Sequence, residues 1–198
     1  MPSTLQYTSP MATTAHKQPI NCDILIIGAG VMGLATGIAL LEAKPGLKVI
    51  VAEKEKQIAM HASGRNSGVL HAGFYYSPDS LKAKFCRDGN KELRKLAKKY
   101  EIPIREVGKV VVTRNEDENK RLETLHQRGI ANGVDIEMLD ASKLPEFEPL
   151  SITHESFLWS PTTAVSDSKA IVEAMRKEFE AKGGKINFNS KVILKELN

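Results

Sequence analysis

Apolar residues recur along this chain in two rhythms. Short unbroken runs read as strands buried on both faces, and runs spaced by three and four read as helices. Ile24–Ile27 and Val49–Ala52 are unbroken runs, and residues 31–43 between them are helical, ended by Lys44-Pro45-Gly46. Residues 57–77, QIAMHASGRNSGVLHAGFYYS, break the rhythm. This Gly-, Ser- and His-rich stretch is too long for a plain connector, so a functional loop is expected. Ser77-Pro78 or Asp79 then starts a helix. Its apolar side carries Leu81, Phe85, Leu93, Leu96, Ala97 and Tyr100. Further on, the pattern predicts strands over 107–113, 134–139, 157–159, 186–188 and 192–197, and a helix over 117–132 closed by Gly133. Residues 144–149 read as a kinked connector, and Asp167 caps a helix carrying Ile171, Met175 and Phe179, closed by Gly183-Gly184.

The first strand runs into a glycine pattern with chemical meaning. Gly28, Gly30 and Gly33 have G-x-G-x-x-G spacing between strand and helix. Gly28 permits the tight turn, Gly30 lets backbone approach a pyrophosphate, and Gly33 lets the helix pack on the sheet. The helix start aims free N–H groups and a positive dipole end at the phosphates. Glu53 ends the second strand, where a carboxylate reaches the hydroxyls of an adenosine ribose. A dinucleotide site is expected, with NAD or FAD favoured over NADP because the acid repels a 2′-phosphate. The alternative is a glycine turn that binds nothing, which leaves Glu53 without a purpose.

Composition narrows the class. The chain has 198 residues, 41% hydrophobic and 26% charged, enough for one core or two small lobes. Cys22 and Cys86 make no disulfide framework and suit a reducing compartment. No apolar run reaches the length of a membrane span. Residues 1–21 are rich in Ser and Thr with one Lys and no Arg, and read as a disordered leader, with a mitochondrial address as the alternative to a cytoplasmic or membrane-peripheral location. Much of the net charge of +4 comes from Lys82, Lys84, Arg87, Lys91, Arg94, Lys95, Lys98 and Lys99 on one helix. A solvated face is the simple reading. Attraction of an acidic substrate, or peripheral membrane contact, is the functional one. No nucleic-acid motif is present.

Three stretches together, GAGVMGLATGIALL, VIVAEKE and ASGRNSGVLHAGFYY, resemble the D-amino-acid-oxidase-like superfamily of FAD-dependent oxidoreductases, and within it the L-2-hydroxyglutarate dehydrogenase/oxidase family. SPDSLKAKFC (77–86), VGKVVVT (107–113) and SPTTAVSD (160–167) extend the likeness, which runs from about Asp23 to Leu197. The resemblance implies an α/β chain (α+β overall): a Rossmann-like FAD-binding domain with an inserted substrate-binding lobe. It divides the chain into 22–80 and 164–198 for the FAD domain and 81–163 for the lobe. Family members are much longer, so the resemblance also implies a truncated chain.

The same resemblance assigns sites. FAD would lie extended, its AMP half on Gly28, Ala29, Gly30, Val31, Met32, Gly33, Glu53 and Lys54. Ser63, Gly64, Asn66, Ser67, Gly68 and Val69 would run past the pyrophosphate and flavin, and the backbone of Val192 would meet the adenine. His71 is the candidate catalytic residue, since histidine accepts a proton from an alcohol near neutral pH. The alternative is a histidine that only shapes the loop. Tyr75 and Tyr76 either orient a substrate carboxylate or anchor the loop on the core. Arg65 either pairs with an anion or is solvated, and the same choice holds for Lys109. His61, His126 and His154 have no metal-ligand spacing. The implied reaction is oxidation of a 2-hydroxy acid, L-2-hydroxyglutarate to 2-oxoglutarate, by hydride transfer to flavin N5. Oxygen, a quinone or an electron carrier would then reoxidise the flavin. The alternatives are an amine or amino-acid oxidase, or a catalytically incomplete dinucleotide-binding fragment. An NAD-dependent dehydrogenase fits less well, because the 57–77 loop delays the third strand.

Overall fold

The computed structural model describes residues 21–193, a mixed α/β chain in two compact units. The first comprises the described residues up to Asn66 together with those from Ser168 onward, and the second is Ser67–Asp167. The dividing points differ from the expected 80/81 and 163/164. Strand β3 (Val69–Leu70) pairs antiparallel with β8 (Ala164–Ser166), which binds both segments into the second unit.

In the first unit, β1 (Ile24–Ile27), β2 (Val49–Ala52) and β9 (Lys185–Asn187) form a parallel sheet ordered β1-β2-β9. Central β2 is buried throughout. Strand β1 was expected to be buried on both faces, yet Ile27 is 60% exposed, because β1 is an edge of the described sheet. Helices α1 (Val31–Ala43) and α5 (Ser168–Ala181) pack together over the sheet. Their contact is close: a Cβ on Gly37 would sit 2.6 Å from the ring of Phe179, which is itself fully buried. The expected apolar row Ile171, Met175 and Phe179 of α5 faces this core. No strand forms at 192–193, and the rest of the strand expected over 192–197 lies outside the described residues.

The second unit holds two antiparallel sheets. One is β3-β8-β4, where β4 (Ile104–Arg105) has no apolar run to announce it. The other is β5-β7-β6, with β5 (Lys109–Val111) and β6 (Glu137–Asp140) flanking β7 (Ser156–Ser160). Both outer strands are shorter than expected. Ala72, Phe74, Leu122, Ile136 and Leu158 form its core, with Tyr75 and Val111 against it. Helix α3 (Glu116–Ala131) is capped by Asn115, whose side chain accepts from Glu118 N, and three acids fill its first turn. Residues expected as a kinked connector form a short helix, α4 (Leu144–Phe147), because Pro145 is tolerated in a first turn.

Helix α2 (Leu81–Lys99) begins at Ser80, whose hydroxyl accepts from Ala83 N. The expected apolar side is wrong for its first turns. Leu81 is 68% and Phe85 64% exposed, while Ala83 and Ala97 are buried. Polar bonds set this facing: Asn90 donates to the His71 carbonyl, and Arg94 reaches Asn90, Glu106 and the Thr162 carbonyl. Arg94, expected on a solvated face, is thus a clamp.

The C-termini of α2, α3 and α5 close alike, with paired amides returning to the last-turn carbonyls. Gly133 and Gly183 hold the left-handed position of α3 and α5, but α2 uses Glu101 at φ 54°. A side chain there is strained. Glu101→Gly is expected to raise stability by up to about 1 kcal/mol, read as a higher urea midpoint at unchanged slope.

Candidate functional site

The first unit builds a turn suited to anions. Gly28 takes φ +98°, and its amide bonds the Ala52 carbonyl at the end of β2. The chain then enters α1 at Gly30, whose carbonyl accepts from Leu34 N. A Cβ on Gly33 would stand 2.0 Å from the Gly28 carbonyl oxygen, so only glycine fits this close turn. On Gly30 it would stand 2.9 Å from the Ser63 hydroxyl. Ser63 Oγ accepts from Val31 N at 3.1 Å. Among the described residues, the amides of Gly30, Met32 and Gly33 have no hydrogen-bond partner. Three such donors at the positive end of a 13-residue helix are an arrangement that can hold a phosphate.

Glu53 sits where the sequence places it, at the end of β2, and is buried. Its Oε2 accepts from Ala29 N at 2.7 Å and its Oε1 from Glu55 N at 2.9 Å. The carboxylate therefore closes the glycine turn, a role the sequence reading missed. Lys54 is exposed and lies 3.7 Å from Glu55. Gly64 lies in a 3₁₀ turn over Ala62–Gly64, tied by the Asn66 side chain donating to the carbonyls of Ala62 and Ser63. Arg65 lines an open cleft of about 400 Å³ with Met60, Lys169 and Glu173. Val192 is half-buried outside any strand.

The second unit contains Ser67, Gly68, Val69, His71, Tyr75 and Tyr76. Gly68 accepts from Ser166 N, Val69 pairs with Val165, and Ser67 is exposed. The His71 ring is exposed, but its backbone is fixed, its carbonyl accepting from Asn90 Nδ2 at 3.1 Å. Buried Asn132 donates to the carbonyls of Gly73 and Tyr76 at 3.2 and 3.0 Å. Tyr75 stacks on Phe74, and Lys82 Nζ lies 5.7 Å from the Tyr76 ring centroid. Asn90 and Asn132 give no local sequence signal. One is hidden in a basic helix and the other reads as a helix end. No cluster of metal-ligating side chains occurs among the described residues, and no helix there is long and apolar enough to cross a membrane.

The fold and the glycine turn define a class. A family model described as FAD dependent oxidoreductase matches residues 23–196, and the chain belongs to that family. The mitochondrial L-2-hydroxyglutarate dehydrogenase of Caenorhabditis elegans is 44% identical over 165 residues, covering 83% of this chain and 38% of that protein. The L-2-hydroxyglutarate dehydrogenase of Escherichia coli K12 is 37% identical over 170 residues, covering 86% and 40%. The structure of L-alpha-glycerophosphate oxidase from Mycoplasma pneumoniae with FAD bound matches with a TM-score of 0.72 at 30% identity, over 85% of this chain and 44% of that one. The chain thus spans about two fifths of the length of the curated relatives it matches.

Two outcomes follow. Glu53→Ala leaves two backbone amides unpaired and should destabilise the flavin-free chain by about 2 kcal/mol in urea unfolding. Unchanged stability would show that the carboxylate serves a ligand alone. The Glu55 carboxyl is held below the ordinary 4.5, first by the hydrogen bond from His61 at 2.8 Å and also by the charges of His61 and Lys54. A lowered folded value means the contribution is complete above pH 4.5 and is lost as pH falls through the lower value. The protection of the Gly64 amide, which bonds the His61 carbonyl at 3.0 Å, should therefore fall below pH 4.5 when exchange is measured against the intrinsic rate at each pH, and His61→Ala should remove part of that dependence.

Proposed function

We propose that this chain carries the adenosine- and pyrophosphate-binding part of an FAD-dependent dehydrogenase or oxidase that converts L-2-hydroxyglutarate to 2-oxoglutarate. The observation that carries the reading is the 44% identity to a relative named for that substrate, in a chain whose glycine turn and acid are intact. The relatives reported above are not named for amines, so the amine- or amino-acid-oxidase alternative is the weaker reading. The nematode relative's name supports a mitochondrial location over a cytoplasmic one.

The residues fit the cofactor. The amides of Gly30, Met32 and Gly33 would hold the pyrophosphate. The Glu53 lone pairs not used by Ala29 and Glu55 would accept from the ribose hydroxyls, with Lys54 beside them. Ser63, Gly64, Asn66, Ser67, Gly68 and Val69 would follow the cofactor toward its ring, with Val192 at the adenine. When bound, FAD supplies the hydride acceptor, flavin N5. The protein's part is geometry and one proton. A ring nitrogen of His71, on a backbone fixed by Asn90, takes the hydroxyl proton of the substrate, and Tyr75 and Tyr76 orient a carboxylate.

The test uses the purified chain and a chimera in which residues 23–196 replace the matching segment of the nematode relative. Both are expected to show a flavin absorption spectrum, and the chimera to oxidise L-2-hydroxyglutarate. His71→Ala in the chimera should slow flavin reduction by about 10²–10⁴ while keeping the flavin ratio. A colourless protein that binds nicotinamide in calorimetry would overturn the cofactor assignment. Near-normal reduction by His71→Ala would leave that histidine a scaffold residue.

A further inference from the structure

The loop after His71 holds a cation that the proposed reaction leaves unused. Phe74 is 1% exposed, and Tyr75 stacks on it with ring centroids 4.3 Å apart. Lys109, the first residue of β5, places Nζ 4.6 Å from the Tyr75 centroid and 5.9 Å from that of Phe74. Its backbone is held on both sides. Gly108 N bonds the Thr163 carbonyl at 2.9 Å, and Lys109 lies in register with Ser160 of β7. The Trp159 ring covers Gly108 so closely that a Cβ there would lie 1.8 Å from it. Lys109 shares a strand face with Val111, which packs on the Phe74 core.

Two other lysines of the unit sit against acids, Lys95 with Glu92 and Lys120 with Glu116. Among the described residues, no carboxylate lies within 4 Å of the Lys109 ammonium. Lys109 is half-buried. An ammonium lodged against an aromatic face has given up part of its hydration, so it attracts an anion more strongly than a solvated lysine does. The loop has two separately pinned ends. The His71 carbonyl is fixed to α2 through Asn90, and the Gly73 and Tyr76 carbonyls to α3 through Asn132.

Resting on the hydroxy-acid reading above, we propose that Lys109, held over Tyr75, binds the carboxylate remote from the reacting carbon and so selects dicarboxylates over monocarboxylates. The anion completes a pairing that no described carboxylate makes. Tyr75 sets the direction of the ammonium through its ring, which keeps a flexible side chain from sampling other rotamers.

Calorimetric titration of the full 198-residue chain with L-2-hydroxyglutarate and with L-2-hydroxybutyrate tests this. The wild type should bind the diacid about tenfold more tightly. Lys109→Met should abolish that preference and leave affinity for the monoacid unchanged, and Lys109→Arg should retain it. Melting curves check the fold, and Lys109→Gln carries the test if Lys109→Met does not fold. A preference that survives in Lys109→Met, or is absent from the wild type, overturns the proposal. So does equal loss of both ligands, which would place Lys109 at the carboxylate next to the reacting carbon. Failure of the hydroxy-acid reading shows separately, as a flavin-loaded chimera that does not oxidise L-2-hydroxyglutarate.

Discussion

The first unit depends on a buried negative charge that must be satisfied by backbone. Glu53 ends β2 inside the protein, where an unpaired carboxylate would be costly. Two amides satisfy it, one from Glu55 just ahead and one from Ala29 in the turn leaving β1. The Ala29 bond crosses from one parallel strand to the next and fixes the glycine turn against the sheet. With the turn fixed, the amides of Gly30, Met32 and Gly33 stay unspent among the described residues. Ser63 adds a second tie by occupying the Val31 amide. One carboxylate thus sets the shape of the turn that the proposed nucleotide end uses.

The second unit solves a similar accounting problem with amides and a guanidinium. The loop from His71 to Tyr76 has few ladder partners, so its carbonyls need donors. Asn90 and Asn132 supply them from two helices. Arg94 then holds the Asn90 oxygen at 2.8 Å, which fixes the amide so that its nitrogen faces the loop. The cost is a helix turned so that Leu81 and Phe85 face water. The bonds of Asn90 and Arg94 are thus made at the expense of covering two apolar side chains at the helix start.

Local periodicity explains what was legible. The β1–α1–β2 run, its glycines and Glu53 are set by neighbours in sequence, and the strand and helix bounds match the pattern. Helix α5 is equally clear, because Ile171, Met175 and Phe179 repeat every four residues. The rest was hidden for identifiable reasons. The facing of α2 is decided by partners such as Thr162, 68 residues from Arg94. Strand β6 starts late because Val134 N is spent closing α3 on the Gly129 carbonyl. Strand β4 is two residues long and exists only through pairing with β8. The acid at the end of β2 was readable, but its bonds to Ala29 and Glu55 were not, since the expected ribose role and the turn-closing role call for the same acid.

The segment 63–69 reads as one cofactor loop, yet its two parts are held by different means. Ser63 and Gly64 belong to a 3₁₀ turn, to whose carbonyls the Asn66 side chain donates. Gly68 and Val69 are fixed by the chain that returns at Val165 and Ser166. Gly68 stands at φ +67°, and a Cβ there would lie 2.2 Å from the Ser166 carbonyl oxygen. Both passages of the chain out of the second unit therefore run side by side through β3 and β8. A change at Ser63 acts on the start of α1 and leaves the His71 backbone alone, because that backbone hangs on β3 and Asn90. A change at Gly68 does the reverse, since it forces β8 away from β3 at the point where the loop toward His71 begins. The glycine turn and the His71 backbone thus rest on different contacts, although only a few residues of sequence divide Ser63 from His71.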